Sequence, residues 1–531
     1  MKTNYAQLST ANQRQQATPV QVKNNAGGYV FRLSPMKQLE RFLILGSDTP
    51  TYYQNAQALT VENARVVQEC FAQFPRDTID LIINIISNNR AIKIDPIIFS
   101  LALGTLDPIV ETRHMVYAAI PTVCKNASQM FMFVDYCDKL NKGWGRGLKN
   151  KIAAFYERQN PKSVAALAYQ MIKYRQRNGF THQRLLRLSH PKPGTVECAN
   201  LYNWNLGKEY DYDMLPDVVK MYIDVNRNEK SFYSDLPWEA YPTERIPWSK
   251  LAPTMPYVAM VRNLNKFDLR PLSELENVIV KRLEEEKPQM HPFQIMWAWK
   301  TYSQGRGFLG SATWEVNQRV SRALEHAYYN SFKYVKPSGE RFFIAFDISG
   351  SMSSAFIRNT NISAIEASMA MALPIVKTEK RVVLKGFSDG RSASTRWGGA
   401  GVRKDPKNTW TNRSSGLCDV DIGENPTLST AIGNLPSWSG GGTDCSLPMV
   451  YAKEMKIDVD KFIIFTDNET WAGQVHPYQA LKDYRKASGI NAKMIVCGIT
   501  STGFSIADPS DEGMLDIVGC DGNLPQLISS L

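Results

Sequence analysis

The fold is decided by a stretch about two-thirds of the way along the chain, which reads Phe342-Phe-Ile-Ala-Phe-Asp347-Ile-Ser349-Gly-Ser351-Met-Ser-Ser354. Its apolar run ends abruptly on Asp347, and the hydroxyl residues Ser349 and Ser351 follow at alternate positions. A short apolar run bounded by turn residues predicts a buried strand, and open α/β sheets bind ligands where the carboxyl ends of such strands meet loops. One carboxylate and two hydroxyls are hard oxygen donors, which Mg²⁺ and Mn²⁺ prefer. The stretch therefore predicts a strand that ends at a divalent-metal site.

Two later stretches supply further donors of the same kind. Gly440-Gly-Gly-Thr443-Asp444 places a hydroxyl in a glycine-rich turn, and Phe462-Ile-Ile-Phe-Thr466-Asp467 is a second apolar strand that ends on a carboxylate. The alternative is that Asp347 and the serines after it only cap the following helix, a position that Asp and Ser favour. The presence of both distant donors, in this order, favours the metal site.

Strands and helices alternate around this stretch, which predicts a mostly parallel, doubly wound α/β sheet with helices on both faces. We assign residues 339–531 to this domain. The predicted strands and helices span, in chain order, residues 342–347, 362–376, 382–387, 461–467, 478–488 and 494–499.

The first part of the chain has a different pattern, because helical segments follow one another without a convincing strand ladder. The clearest predicted helices span residues 61–74, 78–87, 108–122, 130–140 and 161–177, the last with a one-faced apolar stripe. Successive helices of this length suggest helix pairs stacked in a HEAT-like superhelix, with a compact irregular bundle as the alternative. We assign residues 29–338 to this all-helical module and residues 1–28, rich in Gln, Asn and Thr, to a flexible arm.

Charge is distributed unevenly along the 531 residues, whose formal net charge is +11. Residues 341–531 carry 19 Lys or Arg and 20 Asp or Glu, whereas the residues before them carry 43 and 31. The basic surplus therefore belongs entirely to the first part. Such asymmetry indicates a polyanionic partner for that part, nucleic acid before membrane.

The basic residues are concentrated between positions 139 and 192, which contain 13 Lys or Arg and one acid, Glu157, with aromatic and histidine residues interleaved. Cations neutralise phosphates, and aromatic and guanidinium planes stack on unpaired bases. Lys173 and Arg177 are four residues apart at the end of the predicted helix, so we expect them to share one face. A solvated basic surface is the alternative interpretation, but the near-absence of acids favours contact with RNA or DNA.

Other features of the sequence exclude several classes of protein. The eight cysteines form no CxxC pair and several lie in apolar runs, which predicts reduced cysteines in an intracellular compartment. There is no secretory signal pattern and no apolar run of membrane-spanning length, so we expect a cytoplasmic protein without a membrane partner. No HExxH motif, GK[ST] loop, nucleophile elbow or ordered Ser/His/Asp set is present, which argues against an enzyme.

The pattern Asp-x-Ser-x-Ser, followed by a distant Thr and a distant strand-end Asp, resembles the metal-ion-dependent adhesion site of von Willebrand factor A domains. The resemblance implies a protein partner whose carboxylate completes the coordination shell, and Mg²⁺ as the favoured ion, with Mn²⁺ and Ca²⁺ as alternatives. The ligands that it implies, some of them through water, are Asp347, Ser349, Ser351, Thr443 and Asp467.

A second resemblance covers nearly the whole chain. The segment Lys173-Tyr-Arg-Gln-Arg177-Asn-Gly-Phe-Thr-His182-Gln-Arg-Leu-Leu-Arg187-Leu-Ser189-His190-Pro-Lys192 closely resembles the signature of the Ro autoantigen family. The segments Tyr29-Val-Phe-Arg-Leu-Ser34 and Arg41-Phe-Leu-Ile-Leu-Gly46-Ser-Asp-Thr-Pro-Thr-Tyr-Tyr53 resemble the start of its TROVE module. A TROVE module followed by a von Willebrand factor A domain is the layout of that family, and the chain is similar to its bacterial-type members.

The resemblance implies a ring of HEAT-like helical repeats that is closed against the A domain. It implies a noncatalytic protein that binds small noncoding Y RNA on the outside of the ring and single-stranded ends of misfolded RNA in and around the central hole. It also implies a role in RNA quality control, processing or decay, including under stress, with a 3′ exoribonuclease such as a polynucleotide phosphorylase as partner. The Y RNA contacts carried over are Lys173, Arg177 and His190, and by extension His182 and Arg187, with a structural role as the alternative for either histidine.

A metal-dependent protein-interaction module, in which the basic surface is only solvated, is the alternative function. The two hypotheses differ in the affinity that they predict between the first part of the chain and RNA at moderate salt.

Overall fold

The structure is a computed structural model, which describes residues 12–46, 56–141, 144–228, 231–241, 247–285, 288, 290–308, 310–332, 337–357, 360–388, 416–434 and 442–530. The chain divides into two compact units. The sheet unit comprises Met1–Val66, Asn88–Lys93 and Lys287–Leu531, and the helical unit comprises Val67–Ser87 and Ile94–Glu286.

The strands of the described residues are numbered β1 to β11. They span, in chain order, Gln21–Lys23, Tyr29–Arg32, Gln176–Arg177, Phe180–Thr181, Arg341–Asp347, Arg381–Phe387, Leu417–Asp419, Lys461–Thr466, Lys493–Gly498, Phe504–Ser505 and Met514–Val518.

The α-helices that precede β5 span Pro35–Leu45, Ala56–Gln73, Pro75–Ser87, Asp95–Gly104, Val110–Val123, Ala127–Asn141, Arg146–Tyr156, Pro161–Lys173, His182–Ser189, Val196–Leu206, Asp217–Arg227, Trp248–Leu251, Tyr257–Arg262, Glu274–Glu285, Pro292–Ser303 and Gln318–Asn330. Those that follow β5 span Gly350–Ser354, Ala364–Thr378, Leu428–Gly433, Leu447–Glu454, Pro477–Ser488 and Leu524–Ser530. Three short 3₁₀ segments, Trp238–Ala240, Ala252–Thr254 and Leu264–Lys266, lie in the helical unit.

Helices of the helical unit pack repeatedly against the helix two further along the chain. Pro75–Ser87 packs on Val110–Val123, and Asp95–Gly104 packs on Ala127–Asn141. Each helix of such a stack exposes one face and buries the other, so its apolar residues recur at helical spacing. This is the packing that stacked helix pairs produce, and it confirms the HEAT-like prediction.

Local sequence explains where the helix Pro161–Lys173 begins. The side chain of Asn160 accepts a hydrogen bond from the backbone N–H of Ser163, whose hydroxyl in turn accepts one from the N–H of Asn160. Such a capping box satisfies two donors that the helix itself leaves free. The predicted stripe is buried as expected and comprises Val164, Leu167, Ala168, Met171 and Ile172.

The same helix ends earlier than the sequence predicts, and this corrects the expectation that Lys173 and Arg177 share a helical face. The helix stops at Lys173, and Arg177 belongs to strand β3, which pairs with β4 in a two-residue hairpin. The turn consists of Asn178 and Gly179, with φ of 51° and 75°. Asn-Gly is a preferred sequence for a hairpin turn with two positive φ angles, so a local signal overrides the helical periodicity.

The sheet unit contains the predicted α/β domain. Its six-stranded sheet has the order β11-β9-β8-β5-β6-β7, in which every pair is parallel except the antiparallel pair β6–β7. Strands β5 and β8 are neighbours, with Phe346 opposite Phe465. Their carboxyl ends, which carry Asp347 and precede Asp467, therefore meet at one edge of the sheet.

The N-terminal residues differ from the predicted flexible arm and from the all-helical assignment. Strand β1 pairs with β2, which pairs with β10, so residues 21–32 form a small antiparallel sheet with the α/β domain. The helix Pro35–Leu45 is held by the buried Arg41, whose guanidinium pairs with Asp516 of β11. Composition misled the prediction because the polar side chains of this segment bond to distant residues instead of water. Residues 1–11 of the predicted arm lie outside the described residues.

All eight cysteines are buried and free, in agreement with the prediction that they are reduced. Within the described residues, no helix combines the length and the apolarity that a membrane span requires.

Candidate functional site

The predicted metal ligands of the sheet unit are all buried, and we call them the metal-site cluster: Asp347, Ser349, Ser351, Thr443 and Asp467. Asp347 ends β5 and is fully buried. Its Oδ1 accepts a hydrogen bond from the N–H of Ser349 (3.0 Å), and its Oδ2 accepts one from the hydroxyl of Thr466 (2.8 Å). Both carboxylate oxygens are thus held in place at the end of the strand.

The two serines connect the carboxylates. Their hydroxyl oxygens lie 3.0 Å apart, and the Ser351 hydroxyl also donates to the side chain of Asp467. Ser349 occupies the N-cap position of the helix Gly350–Ser354, but its side chain forms no capping hydrogen bond. The side chain of Ser349 therefore does not cap this helix.

Thr443 joins the cluster through its backbone. Its carbonyl oxygen accepts hydrogen bonds from the N–H groups of Trp471 (3.0 Å) and Ala472 (3.1 Å), which lie in the loop that begins with Asp467. Its side chain is buried, and the loops that carry Thr443 and Asp467 are thereby fastened to each other. The structure thus brings together directly four of the five predicted ligands and places the fifth in an adjoining loop.

Buried negative charge dominates the electrostatics of this cluster. Burial and the charge of Asp467 raise the pKa of Asp347 to about 7, and burial also raises the pKa of Asp467. Burial and Asp467 likewise raise the pKa of Glu469 to about 8. Among the described residues, the groups that lower these pKa values are hydrogen-bond donors and not basic side chains. A cation would remove the repulsion between these carboxylates.

The donor set fits a hard divalent cation. Two carboxylates and three hydroxyl residues offer only oxygen, as Mg²⁺ prefers. The described residues contain no cluster of three or more His, Cys, Asp or Glu side chains that could hold a metal. A site here would therefore depend on hydroxyl oxygens and waters as much as on carboxylates.

The basic hairpin surface of the helical unit is a second candidate site, which we define as Lys173, Arg175, Arg177, Arg184 and Arg187. All but Lys173 are exposed, and Lys173 is half-buried. Several of these cations lie against aromatic rings: Lys173 is 5.4 Å from the ring centre of Tyr174, and Arg184 is 4.2 Å from that of Phe180. An exposed cation held on an aromatic face is pre-ordered for contact with a phosphate or a base.

Sequence reasoning missed two members of this surface. Arg175 donates hydrogen bonds to the hydroxyl of Tyr222 (3.0 Å) and to the carbonyl of Glu239 (3.1 Å), and Arg184 stacks on Phe180. Both arginines lie between positions 139 and 192, so the concentration of basic residues there could have identified them as candidate RNA contacts. Phe180, which supports Arg184, lies only four residues before it, whereas Tyr222, which supports Arg175, is distant in sequence.

The two predicted histidine contacts have opposite environments. His190 is exposed and ends its helix in a left-handed conformation (φ 47°). His182 is only 1% exposed, its Nδ1 lies 2.8 Å from the Tyr156 hydroxyl, and its ring packs edge-on against Phe131. Burial lowers the pKa of His182 to about 4. The position of His182 thus contradicts a direct RNA contact and supports the structural alternative.

Two domain families match the chain. The TROVE domain matches residues 22–225, and the Ro60 vWA domain matches residues 341–531. The second match contains the metal-site cluster, and the first contains the basic hairpin surface.

Relatives of similar length support both matches. The chain is 32% identical to the RNA-binding protein RO60 of Caenorhabditis elegans, over 96% of this chain and 89% of the relative. It is 31% identical to the RNA-binding protein RO60 of Deinococcus radiodurans, over 96% of this chain and 95% of the relative. The crystal structure of the Deinococcus radiodurans RO (RSR) protein matches with a TM-score of 0.63 at 28% identity, over 93% of this chain and 99% of that chain. The chain therefore belongs to the Ro60 family.

Proposed function

We propose that this chain is a noncatalytic RNA-binding protein that uses the basic hairpin surface to hold RNA. The observation that carries the proposal is the cluster of five cations around the hairpin of β3 and β4, four of them exposed and three of them supported by aromatic rings. Cations there would neutralise phosphates and release their counterions, while guanidinium and aromatic planes would stack on unpaired bases. Two relatives named as RNA-binding proteins lend support.

The finer proposal follows the family resemblance. The RNA on this surface is a small noncoding Y RNA, and single-stranded ends of misfolded RNA are a second class of ligand. The protein acts in RNA quality control, processing or decay in the cytoplasm, together with an exoribonuclease such as a polynucleotide phosphorylase. Lys173, Arg177, Arg187 and His190 are the predicted contacts that the structure leaves accessible or partly accessible.

The test of this surface is the double variant Lys173→Ala, Arg177→Ala of the full chain. Binding of a labelled Y RNA is measured by fluorescence anisotropy at several salt concentrations. We expect affinity to fall roughly tenfold and the slope of log affinity against log salt to flatten by about one for each lost phosphate contact.

A matched control removes one lysine and one arginine elsewhere in the helical unit. Arg270 and Lys281 are both largely exposed, so Arg270→Ala, Lys281→Ala changes net charge equally. If the two double variants lose affinity equally, net charge and not the basic hairpin surface governs binding. Unchanged affinity in the first variant would contradict the site assignment.

We also propose that the metal-site cluster holds Mg²⁺, or Mn²⁺ or Ca²⁺ in its place, and that a protein partner contributes a carboxylate to the bound ion. The ion would supply positive charge between two buried carboxylates, and the hydroxyls of Ser349, Ser351 and Thr443 would hold it directly or through water. The buried, mutually repelling pair of Asp347 and Asp467 favours this second function. It is compatible with RNA binding because the two sites lie in different units.

The metal proposal is tested with Asp347→Ala by titration with Mn²⁺, whose unbound form is counted by electron paramagnetic resonance. We expect Mn²⁺ binding to be lost, because a charged ligand is removed, and Y RNA affinity to stay within about twofold. Equal loss of both activities in a folded variant would contradict the assignment of RNA and metal to separate sites.

A further inference from the structure

The N-terminal segment, residues 12–28, packs on the two loops that carry Thr443 and Asp467. We infer that this segment, through Gln13, is the positioning element of the metal-site cluster. The inference rests on the proposed metal site. It adds that the two loops that carry Thr443 and Asp467 are held by a segment more than 400 residues earlier in the sequence.

Gln13 is fully buried and uses both ends of its amide. Its Nε2 donates to Oδ1 of Asp444 (2.8 Å) and to the carbonyl of Val475 (2.8 Å). Its Oε1 accepts from the hydroxyl of Thr470 (2.5 Å), and its backbone N–H donates to the carbonyl of Gly473 (3.0 Å). One side chain therefore bridges the residue after Thr443 and the loop that follows Asp467.

The partners of Gln13 lie beside two of the predicted ligands, Thr443 and Asp467, along the chain. The Thr470 hydroxyl also lies 3.2 Å from the carbonyl oxygen of Thr443 and accepts a hydrogen bond from the N–H of Cys445. Asp444 is the neighbour of Thr443, and Thr470 is three residues beyond Asp467. Because the amide of Gln13 bonds to both, it adds a side-chain bridge to the backbone hydrogen bonds that already join the two ligand-bearing loops.

A second set of contacts holds the residues immediately after Asp467. The side chain of Asn24 donates to the carbonyls of Asn468 (3.2 Å) and Thr470 (2.8 Å), and the N–H of Ala26 donates to Oε2 of Glu469 (3.0 Å). Gly28 lies so close that a Cβ atom there would be 1.9 Å from the carbonyl oxygen of Thr470. A side chain at position 28 would push the segment and the loop apart.

These contacts couple docking of the segment to the metal site. Groups that orient metal ligands typically change metal affinity by 10- to 100-fold when they are removed. Coupling between two binding events is reciprocal, so bound metal should also hold the N-terminal segment more firmly. A purely structural anchor would alter stability without altering metal affinity in the folded protein.

The experiment is a Mn²⁺ titration of the full chain, followed by electron paramagnetic resonance, well below the unfolding temperature. We expect Gln13→Ala to weaken Mn²⁺ affinity about 10- to 100-fold. Gln15→Ala is the matched control, because its side chain is exposed on the same segment, and should bind as the unaltered protein does. Limited proteolysis should also cut the N-terminal segment more slowly when Mn²⁺ is present, and in Gln13→Ala this protection should be lost.

Gly28→Ala provides an independent variant if Gln13→Ala does not fold, since its Cβ atom would meet the backbone of Thr470 and Trp471 and leave the side chain of Gln13 in place. It too should weaken Mn²⁺ binding. Suppose that a folded Gln13→Ala or Gly28→Ala variant binds Mn²⁺ as tightly as the unaltered protein, whereas Asp347→Ala does not bind it. The positioning inference is then overturned, and the proposed metal site stands. If the unaltered protein and Asp347→Ala bind Mn²⁺ equally, or neither binds it, the proposed metal site itself fails.

Discussion

The metal-site cluster and the basic hairpin surface are built on opposite principles. In the cluster, polar side chains are buried, bonded to one another and close enough to perturb each other's pKa. On the basic hairpin surface, four of the five cations are exposed, and Lys173, Arg175 and Arg184 lie on aromatic rings. Buried polar groups must be satisfied by specific partners, whereas exposed cations are satisfied by water until a ligand arrives. The first site is therefore set by precise geometry, and the second by the density of charge on a surface.

The largest effect that would test this comparison is the response of stability to metal. When a chelator keeps the protein free of divalent metal, Asp347→Asn should be more stable than the unaltered protein. The reason is that it removes the repulsion between the buried carboxylates of Asp347 and Asp467. At a metal concentration 100 times the Kd, the unaltered protein should gain about 2.7 kcal/mol of unfolding free energy and the variant should gain none. Denaturant unfolding with and without Mg²⁺ measures both, and an equal gain in the two proteins would contradict a buried metal site.

The buried histidine of the helical unit should make stability depend on pH. Its folded pKa of about 4 lies below the value of roughly 6.5 for an unfolded histidine, so the unfolded state takes up the proton first. The contribution of neutral His182 to the free energy of unfolding is complete above about pH 6.5. It is lost as pH falls towards 4, at about 1.4 kcal/mol per pH unit. Urea unfolding across this range should give a shallower slope for His182→Gln.

The exposed His190 supplies the control for that measurement. His190→Gln makes the same chemical change at an exposed position and is measured alongside His182→Gln. If His182→Gln and the unaltered protein lose stability in parallel, His182 is not the buried, neutral group that the structure describes.

The smallest effect concerns the hairpin that presents Arg177. Gly179→Ala places a side chain at a φ of 75°, which should cost about 1 kcal/mol of stability and lower Y RNA affinity a few-fold by displacing the hairpin. Gly207→Ala introduces the same kind of strain at a φ of 68° elsewhere in the helical unit, with equal space around it. Urea unfolding and anisotropy should show similar losses of stability but a loss of RNA affinity in Gly179→Ala alone. Equal RNA affinities would mean that Arg177 acts independently of the hairpin.

Element types were largely predictable because they depend on local patterns. Strand β5 follows from an apolar run that ends on Asp347, and the helix Pro161–Lys173 follows from a 3.6-residue stripe. Short elements were missed: strands of two or three residues such as β1 and β10 carry too few positions for periodicity to show. The hairpin at Asn178 and Gly179 had a local signal, which the helical pattern around it obscured.

By itself, the sequence determined the strand ends that carry Asp347 and Asp467 and the concentration of positive charge in the first part. Only the tertiary structure decided that His182 is a core residue and that Gln13 ties the ligand-bearing loops together. The physical reason is the same in both cases. A polar residue is buried or exposed according to which distant segments pack against it, and a single sequence does not contain that information at the position itself.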